Sequence, residues 1–226
     1  MTATVDQEWK LQVPMLLLEC RMNIDLITEL EKSPWKLFQR DCNDVDELLH
    51  DVTMRLGVPI GFSKLRPHEK SDSRANSLSS RYGLGKFPLH TDFSTYARPP
   101  RFILLLARKP RKTQTIICNT KKIADEFKLS ELQSSVFIIQ KTFPHYCRMI
   151  EGQAPYDFYR FNSDVMVPKN ECAQRISSFI VNDLIPEASI DWTENCGALV
   201  FNWKALHGRG IAKSSEGEQL ERYAFY

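Results

Sequence analysis

The chain has no cysteines at C-x-x-C spacing, no internal repeat, no tail of like charges and no apolar run long enough to span a bilayer. Each absence removes a class of protein. The six cysteines, Cys20, Cys42, Cys118, Cys147, Cys172 and Cys196, are scattered through a chain large enough to fold without covalent staples, so the expected home is a reducing cytoplasm. A membrane helix needs about 20 apolar residues, whereas the early run Val13–Leu18 is short and follows Asp6 and Glu8, which fits neither a span nor a secretory leader. Thirty Lys and Arg against 28 Asp and Glu leave a net charge of +2 with the basic residues dispersed, so neither nucleic acid nor a membrane is an expected partner. Linkers are also scarce: the nearest to one is residues 68–75, where Glu69 to Arg74 are all polar, and 226 residues at 42% hydrophobic can bury a core as one domain, 1–226.

What is present reads as short strands with a few helices. A polar lead and a strand at Met15–Glu19 precede two helical stretches, the clearer from about Asp44 to Leu56. There Val45, Leu48, Leu49, Val52 and Leu56 share a face, acidic residues occupy the first turn and Gly57 is a stop. Residues 1–57 are expected to brace a sheet. Strands are then predicted at Pro59–Leu65, Ser77–Tyr82, Phe87–Asp92, Phe102–Ala107, Gln114–Cys118, Val136–Gln140, Thr142–Met149, Tyr156–Phe161, Ser189–Trp192, Ala198–Trp203 and Leu220–Tyr226. A helix at about Glu171–Leu184, with Asn170 as its cap, interrupts them without creating an α/β alternation. The pattern is that of a mostly β sandwich or barrel with flanking helices.

One constellation carries chemistry. Side chains at i and i+2 of a strand project from the same face, so in His90-Thr91-Asp92 the imidazole and the carboxylate can reach one ion while Thr91 points away. A second histidine, His207, lies far downstream. Two imidazoles and one carboxylate leave half of an octahedral shell open, the arrangement associated with non-haem Fe(II) oxygenases, whereas a structural zinc site would be closed by protein ligands. Arg222 follows on the last predicted strand; with a hairpin tip between Ser214 and Ser215, it would lie opposite His207. Its permanently charged planar fork suits the far carboxylate of a metal-chelating dicarboxylate.

The run Tyr82-Gly83-Leu84-Gly85-Lys86-Phe87-Pro88-Leu89-His90-Thr91-Asp92, followed by Pro99-Pro100 and an apolar strand, resembles the taurine dioxygenase and clavaminate synthase-like families of Fe(II)/2-oxoglutarate-dependent oxygenases. Gly197–Trp203 leading into His207-Gly208-Arg209 resembles their distal-histidine strand, so the likeness covers about residues 58 to 226. It implies a double-stranded β-helix (a cupin-like jelly roll) over 58–226, with a helical insertion near 171–184. It further implies Fe(II) held by His90, Asp92 and His207, and 2-oxoglutarate anchored on Arg222. In Lys112–Ile117, Thr115 is the better match to a threonine that contacts 2-oxoglutarate, with Thr113 on the same strand face. The activity implied is hydroxylation of an unactivated C–H bond by O2, with release of succinate and CO2. Halogenating relatives lack the carboxylate that this chain retains as Asp92.

The implied partner is a small molecule, with anionic, amino-acid-derived and carrier-linked compounds all compatible. If two of Arg98, Arg101, Arg148 and Arg160 face the cavity, the substrate carries an anionic group. Ser79 is a candidate substrate contact, residues 68–75 a candidate lid, and Trp203 and Phe201 are core residues by default. Two other classes use the same ligands: a zinc-dependent hydrolase or lyase, in which Arg222 has no necessary role, and a metal-binding module without turnover.

Overall fold

The computed structural model describes residues 26–41, 43–72, 78–140, 144–214 and 219–226. The strand expected at Met15–Glu19, together with Cys20 and Cys42, lies outside them.

The main sheet has five antiparallel strands in the order β1 (Trp35–Gln39), β11 (Asn195–Phe201), β3 (Phe102–Leu106), β13 (Leu220–Phe225) and β2 (Gly61–Leu65). A second sheet joins β10 (Ala188–Ile190), β4 (Thr115–Asn119) and β12 (Ala205–Arg209). The sequence Phe-Ile-Leu-Leu-Leu of β3 is apolar throughout because both its faces are buried. Ile103 and Leu105 meet Ile117, Ile190 and Trp192 between the two sheets, while Phe102, Leu104 and Leu106 pack outward against the helical layer.

That outer layer comprises helical residues 26–32, which supply Leu26 and Leu30, and α1 (Val45–Leu56), which supplies Leu48 and Val52. Asp44 caps α1 by accepting hydrogen bonds from the Asp46 and Glu47 amides at 2.8 and 3.2 Å, and Gly57 ends it at φ 86°. A third apolar cluster lies beyond the second sheet, under a small sheet of β6 (His145–Cys147), β5 (Phe137–Ile139) and β9 (Met166–Pro168), with the pair β7 (Ile150–Glu151) and β8 (Phe158–Tyr159) beside it. Two short helices, α3 (Lys121–Glu126) and α4 (Leu129–Ser134), and the expected insertion close this side. The insertion is α5 (Glu171–Ser178), capped by Asn170 as predicted, and it runs on into a π-helical turn over Phe179–Asp183.

Three expectations are corrected. Leu78–Tyr82 is a short helix, α2, and not part of a strand. The segment ending at Asp92 is not a full strand but a single bridge, His90 to His207. β12 and β13 do not form a hairpin: they enter different sheets, because each finds its own antiparallel partners, β4 for one and β2 and β3 for the other. Among the described residues no helix is long and apolar enough to cross a membrane.

Candidate metal centre

His90, Asp92 and His207 come together although β12 and the 87–92 segment are more than a hundred residues apart. Backbone bonds run both ways, from the His90 amide to the His207 carbonyl at 2.9 Å and back at 3.0 Å, and the Phe87 amide donates to Arg209 at 2.9 Å. Gly208 permits this approach, since a Cβ there would lie 2.6 Å from the Phe87 carbonyl oxygen and 2.9 Å from that of Pro88. Alternation holds across the triplet despite the missing strand. Thr91 turns away from the pair and its hydroxyl accepts from the Phe161 amide at 3.1 Å.

The three side chains are buried, and one potential donor atom from each lies within 4.8 Å of the others. His90 Nδ1 donates to the Pro88 carbonyl at 2.9 Å, which leaves the Nε2 lone pair facing Asp92. His207 Nε2 sits 3.2 Å from Asp92 Oδ2, while its Nδ1 is buried without a hydrogen bond. Burial, with the neighbouring His207 charge, holds the His90 imidazolium below its ordinary range, so the ring is a neutral lone-pair donor near neutrality. Burial would raise the Asp92 carboxyl, but the Arg222 guanidinium and His207 outweigh it and hold the group well below the usual carboxylate range. A neutral imidazole and an ionised carboxylate aimed at one point are what a divalent cation requires, so the donor set fits a metal ion.

Arg222 reaches this cluster from the opposing sheet. Its Nη1 donates to Asp92 Oδ1, its Nε donates to Ser63 Oγ at 3.1 Å, and its guanidinium lies 4.8 Å from the Phe93 ring centroid. It therefore faces His207 across the sandwich interior, not across a hairpin. Thr115 lines the same cavity, and its hydroxyl accepts from Trp192 Nε1 at 3.1 Å. Thr113 is buried nearby but is not a wall residue. The cavity holds about 420 Å³, and Ser79, Pro67 and His68 also line it, so one end of the polar stretch 68–75 borders the site.

Other candidates lie elsewhere. Arg98 and Arg101 border a separate hollow with Tyr156, Trp203 and Tyr226. Arg160 is buried and donates to the carbonyls of Ser94, Tyr96 and Ala97, bracing the turn after Asp92. Arg148 is exposed, and Trp203 packs in the outer core with Phe201. None of the four arginines singled out in the sequence faces the metal cavity. Among the described residues the arginines that do, besides Arg222, are Arg66, Arg111 and Arg209. Arg209 could have been found by parity, being two residues beyond His207 on one strand. Burial, with the charge of Arg111, pulls its guanidinium down to about 10.

Asn202 also went unread, and no local signal marks it. It is buried, accepts from the Asp92 amide at 3.0 Å and donates to the carbonyls of Asp92 and Pro100 at 3.1 and 2.9 Å. It thereby clamps the backbone that carries the carboxylate.

No family model matches the chain, and no curated protein matches it in sequence. Solved structures do. An asparagine oxygenase in complex with Fe(II), 2S,3S-3-hydroxyasparagine and succinate aligns at a TM-score of 0.69 and 12% identity, covering 91% of this chain and 79% of that one. AAD-2 in complex with Mn(II) and N-oxalylglycine aligns at 0.68 and 15%, covering 91% and 87%. PvcB from Pseudomonas aeruginosa aligns at 0.65 and 14%, covering 90% and 80%, and another PvcB structure is described as an Fe, alpha-ketoglutarate dependent oxygenase from an isonitrile synthetic pathway. At these identities the likeness is one of fold.

Proposed function

We propose that this chain, which shares its fold with Fe- and alpha-ketoglutarate-dependent oxygenases, is a non-haem Fe(II)- and 2-oxoglutarate-dependent dioxygenase built on a double-stranded β-helix. The observation that carries the reading is the buried cluster of His90, Asp92 and His207 with a guanidinium beside it in one cavity. Ferrous iron with 2-oxoglutarate and O2 supplies, when bound, the oxidising power to hydroxylate an unactivated C–H bond, releasing succinate and CO2.

His90 Nε2, His207 Nε2 and an Asp92 oxygen are the protein ligands, and the Pro88 carbonyl and Asn202 fix the first and last of these segments. Arg222, already lodged against Asp92, turns its fork to the distal carboxylate of 2-oxoglutarate, and the Thr115 hydroxyl, oriented by Trp192, donates beside it. Leu105 and Leu220 line the cavity with apolar surface that excludes water from the reacting groups. The substrate is a small molecule, and the whole chain acts as one oxygenase domain.

Succinate formation by anaerobically purified protein given Fe(II), 2-oxoglutarate and air tests the reading, alongside His90→Ala and Arg222→Ala. Slow succinate release lost in both variants is expected. Failure to bind either iron or 2-oxoglutarate sinks the assignment, and a zinc hydrolase using the same triad gives no succinate.

A further inference from the structure

The hollow bordered by Arg98, Arg101, Tyr156, Trp203 and Tyr226 is separate from the metal cavity: none of its described lining residues belongs to that cavity, and its Trp203 packs in the outer core of the main sheet. It holds about 370 Å³, within the roughly 300–1,000 Å³ of small-ligand sites.

The backbone that carries the two arginines is pinned at successive carbonyls. That of Arg98 accepts from the Tyr226 hydroxyl at 3.2 Å, that of Pro99 from Trp203 Nε1 at 2.9 Å, that of Pro100 from Asn202 Nδ2 at 2.9 Å and that of Arg101 from the Asn202 amide at 2.9 Å. Aromatic rings then set the side chains. The Arg98 guanidinium lies over Trp203 and Tyr156, 4.5 and 5.8 Å from their ring centroids, and that of Arg101 lies over Phe102, Phe201 and Trp203 at 5.2, 5.2 and 5.5 Å. A guanidinium stacked by its face keeps its N–H edge for a ligand.

The two charges are poorly balanced by the protein. Among the described residues the Arg98 guanidinium has rings and no carboxylate against it. Arg101 faces one carboxylate, Glu31, at 3.8 Å, and that side chain is 54% exposed, which makes a loose and solvent-screened pair. Burial pulls the Arg101 guanidinium below its ordinary range, Glu31 opposes this and the nearby Arg98 charge adds to it, while Arg101 Nε is buried without a hydrogen bond. Two fixed forks with two charges suit the dianion of a phosphate monoester. At the rim, Tyr156 and Tyr226 are 59% and 55% exposed, and they offer ring faces on which a planar group can stack.

The geometry points to a second ligand site, for a small molecule that joins a phosphate to a planar ring, as a nucleoside monophosphate does. Arg98 and Arg101 take the phosphate, and Tyr156 and Tyr226 take the ring.

Adenosine monophosphate is the probe, with inorganic phosphate and adenosine as its separate halves. Binding to the whole chain without added metal is measured by titration calorimetry at ionic strength fixed with chloride, for wild type, Arg98→Gln, Tyr156→Ala and Arg222→Ala. Arg98 and Tyr156 are exposed, so their variants keep the core intact. Saturable binding of the nucleotide in wild type, tighter than that of either half, is expected. Arg98→Gln weakens it roughly tenfold, as loss of a charge-assisted hydrogen bond does, Tyr156→Ala weakens the nucleotide more than inorganic phosphate, and Arg222→Ala binds as wild type does. Absence of saturable nucleotide binding, or equal binding in Arg98→Gln, overturns the proposal. So does adenosine or phosphate binding as tightly as the nucleotide, and loss of binding in Arg222→Ala, which would put the nucleotide in the metal cavity.

Discussion

Asn202 shows how much of the site depends on side chains that are not themselves proposed ligands. Replacing it with Ala strands the Asp92 amide and carbonyl in a buried environment, which costs about 1–3 kcal/mol for each group left unpaired, and frees the backbone that aims the carboxylate. A drop of about 10–100-fold in metal affinity is expected, read by Co(II) titration; unchanged affinity refutes the positioning role. The His90 ring has a pH consequence. Its folded pKa is lowered by burial and by His207, so below about 6.5 the unfolded chain takes up a proton that the folded chain resists. Stability of the metal-free protein therefore falls as pH drops from about 6.5, by up to ~1.4 kcal/mol per unit from this group, whereas competition of a proton for the folded ring's lone pair, and with it weaker metal binding, sets in only at lower pH, below the lowered folded pKa. Thermal melts between pH 7 and 5 check this, and His90→Gln should flatten the slope.

At the scale of elements, the approach of β12 to the 87–90 segment is the sensitive joint. Gly208→Ala forces a methyl group against the Phe87 and Pro88 carbonyls, so the two histidine-bearing segments separate. Metal binding should be lost while the far-ultraviolet circular dichroism stays close to wild type; a variant that binds metal normally refutes this account. The same scale explains what the sequence could and could not say. Helix α1 was legible with both ends, because its cap, apolar face and terminating glycine are all local. The strand expected over Phe87–Asp92 was not, because Pro88 has no amide to donate, so the bonds of Phe87 and His90 to β12 make one bridge at His90 where alternation suggested a ladder. Leu78–Tyr82 likewise gave no reliable period over five residues.

On the whole-molecule scale, the proposed ligand groups come from residues 90–92, 207 and 222, and so from both sheets. A metal with 2-oxoglutarate therefore ties together parts of the chain that unfolding separates. At a hundredfold excess over the dissociation constant, binding contributes about 2.7 kcal/mol and should raise the melting temperature by roughly 5–10 °C. Anaerobic differential scanning calorimetry should show this shift in wild type and its loss in His207→Ala. The i, i+2 chemistry of His90 and Asp92, the second histidine and the permanent charge of Arg222 were readable from residues alone, since side-chain type and strand parity are local properties. Tertiary structure decided the rest: Arg222 faces His207 across the sandwich and not across a hairpin, Asn202 clamps Asp92, and Arg66, Arg111 and Arg209 border the cavity in place of Arg98, Arg101, Arg148 and Arg160. Which strands pair is set by the burial of whole faces over long chain separations, and that choice alone determines which distant charges meet.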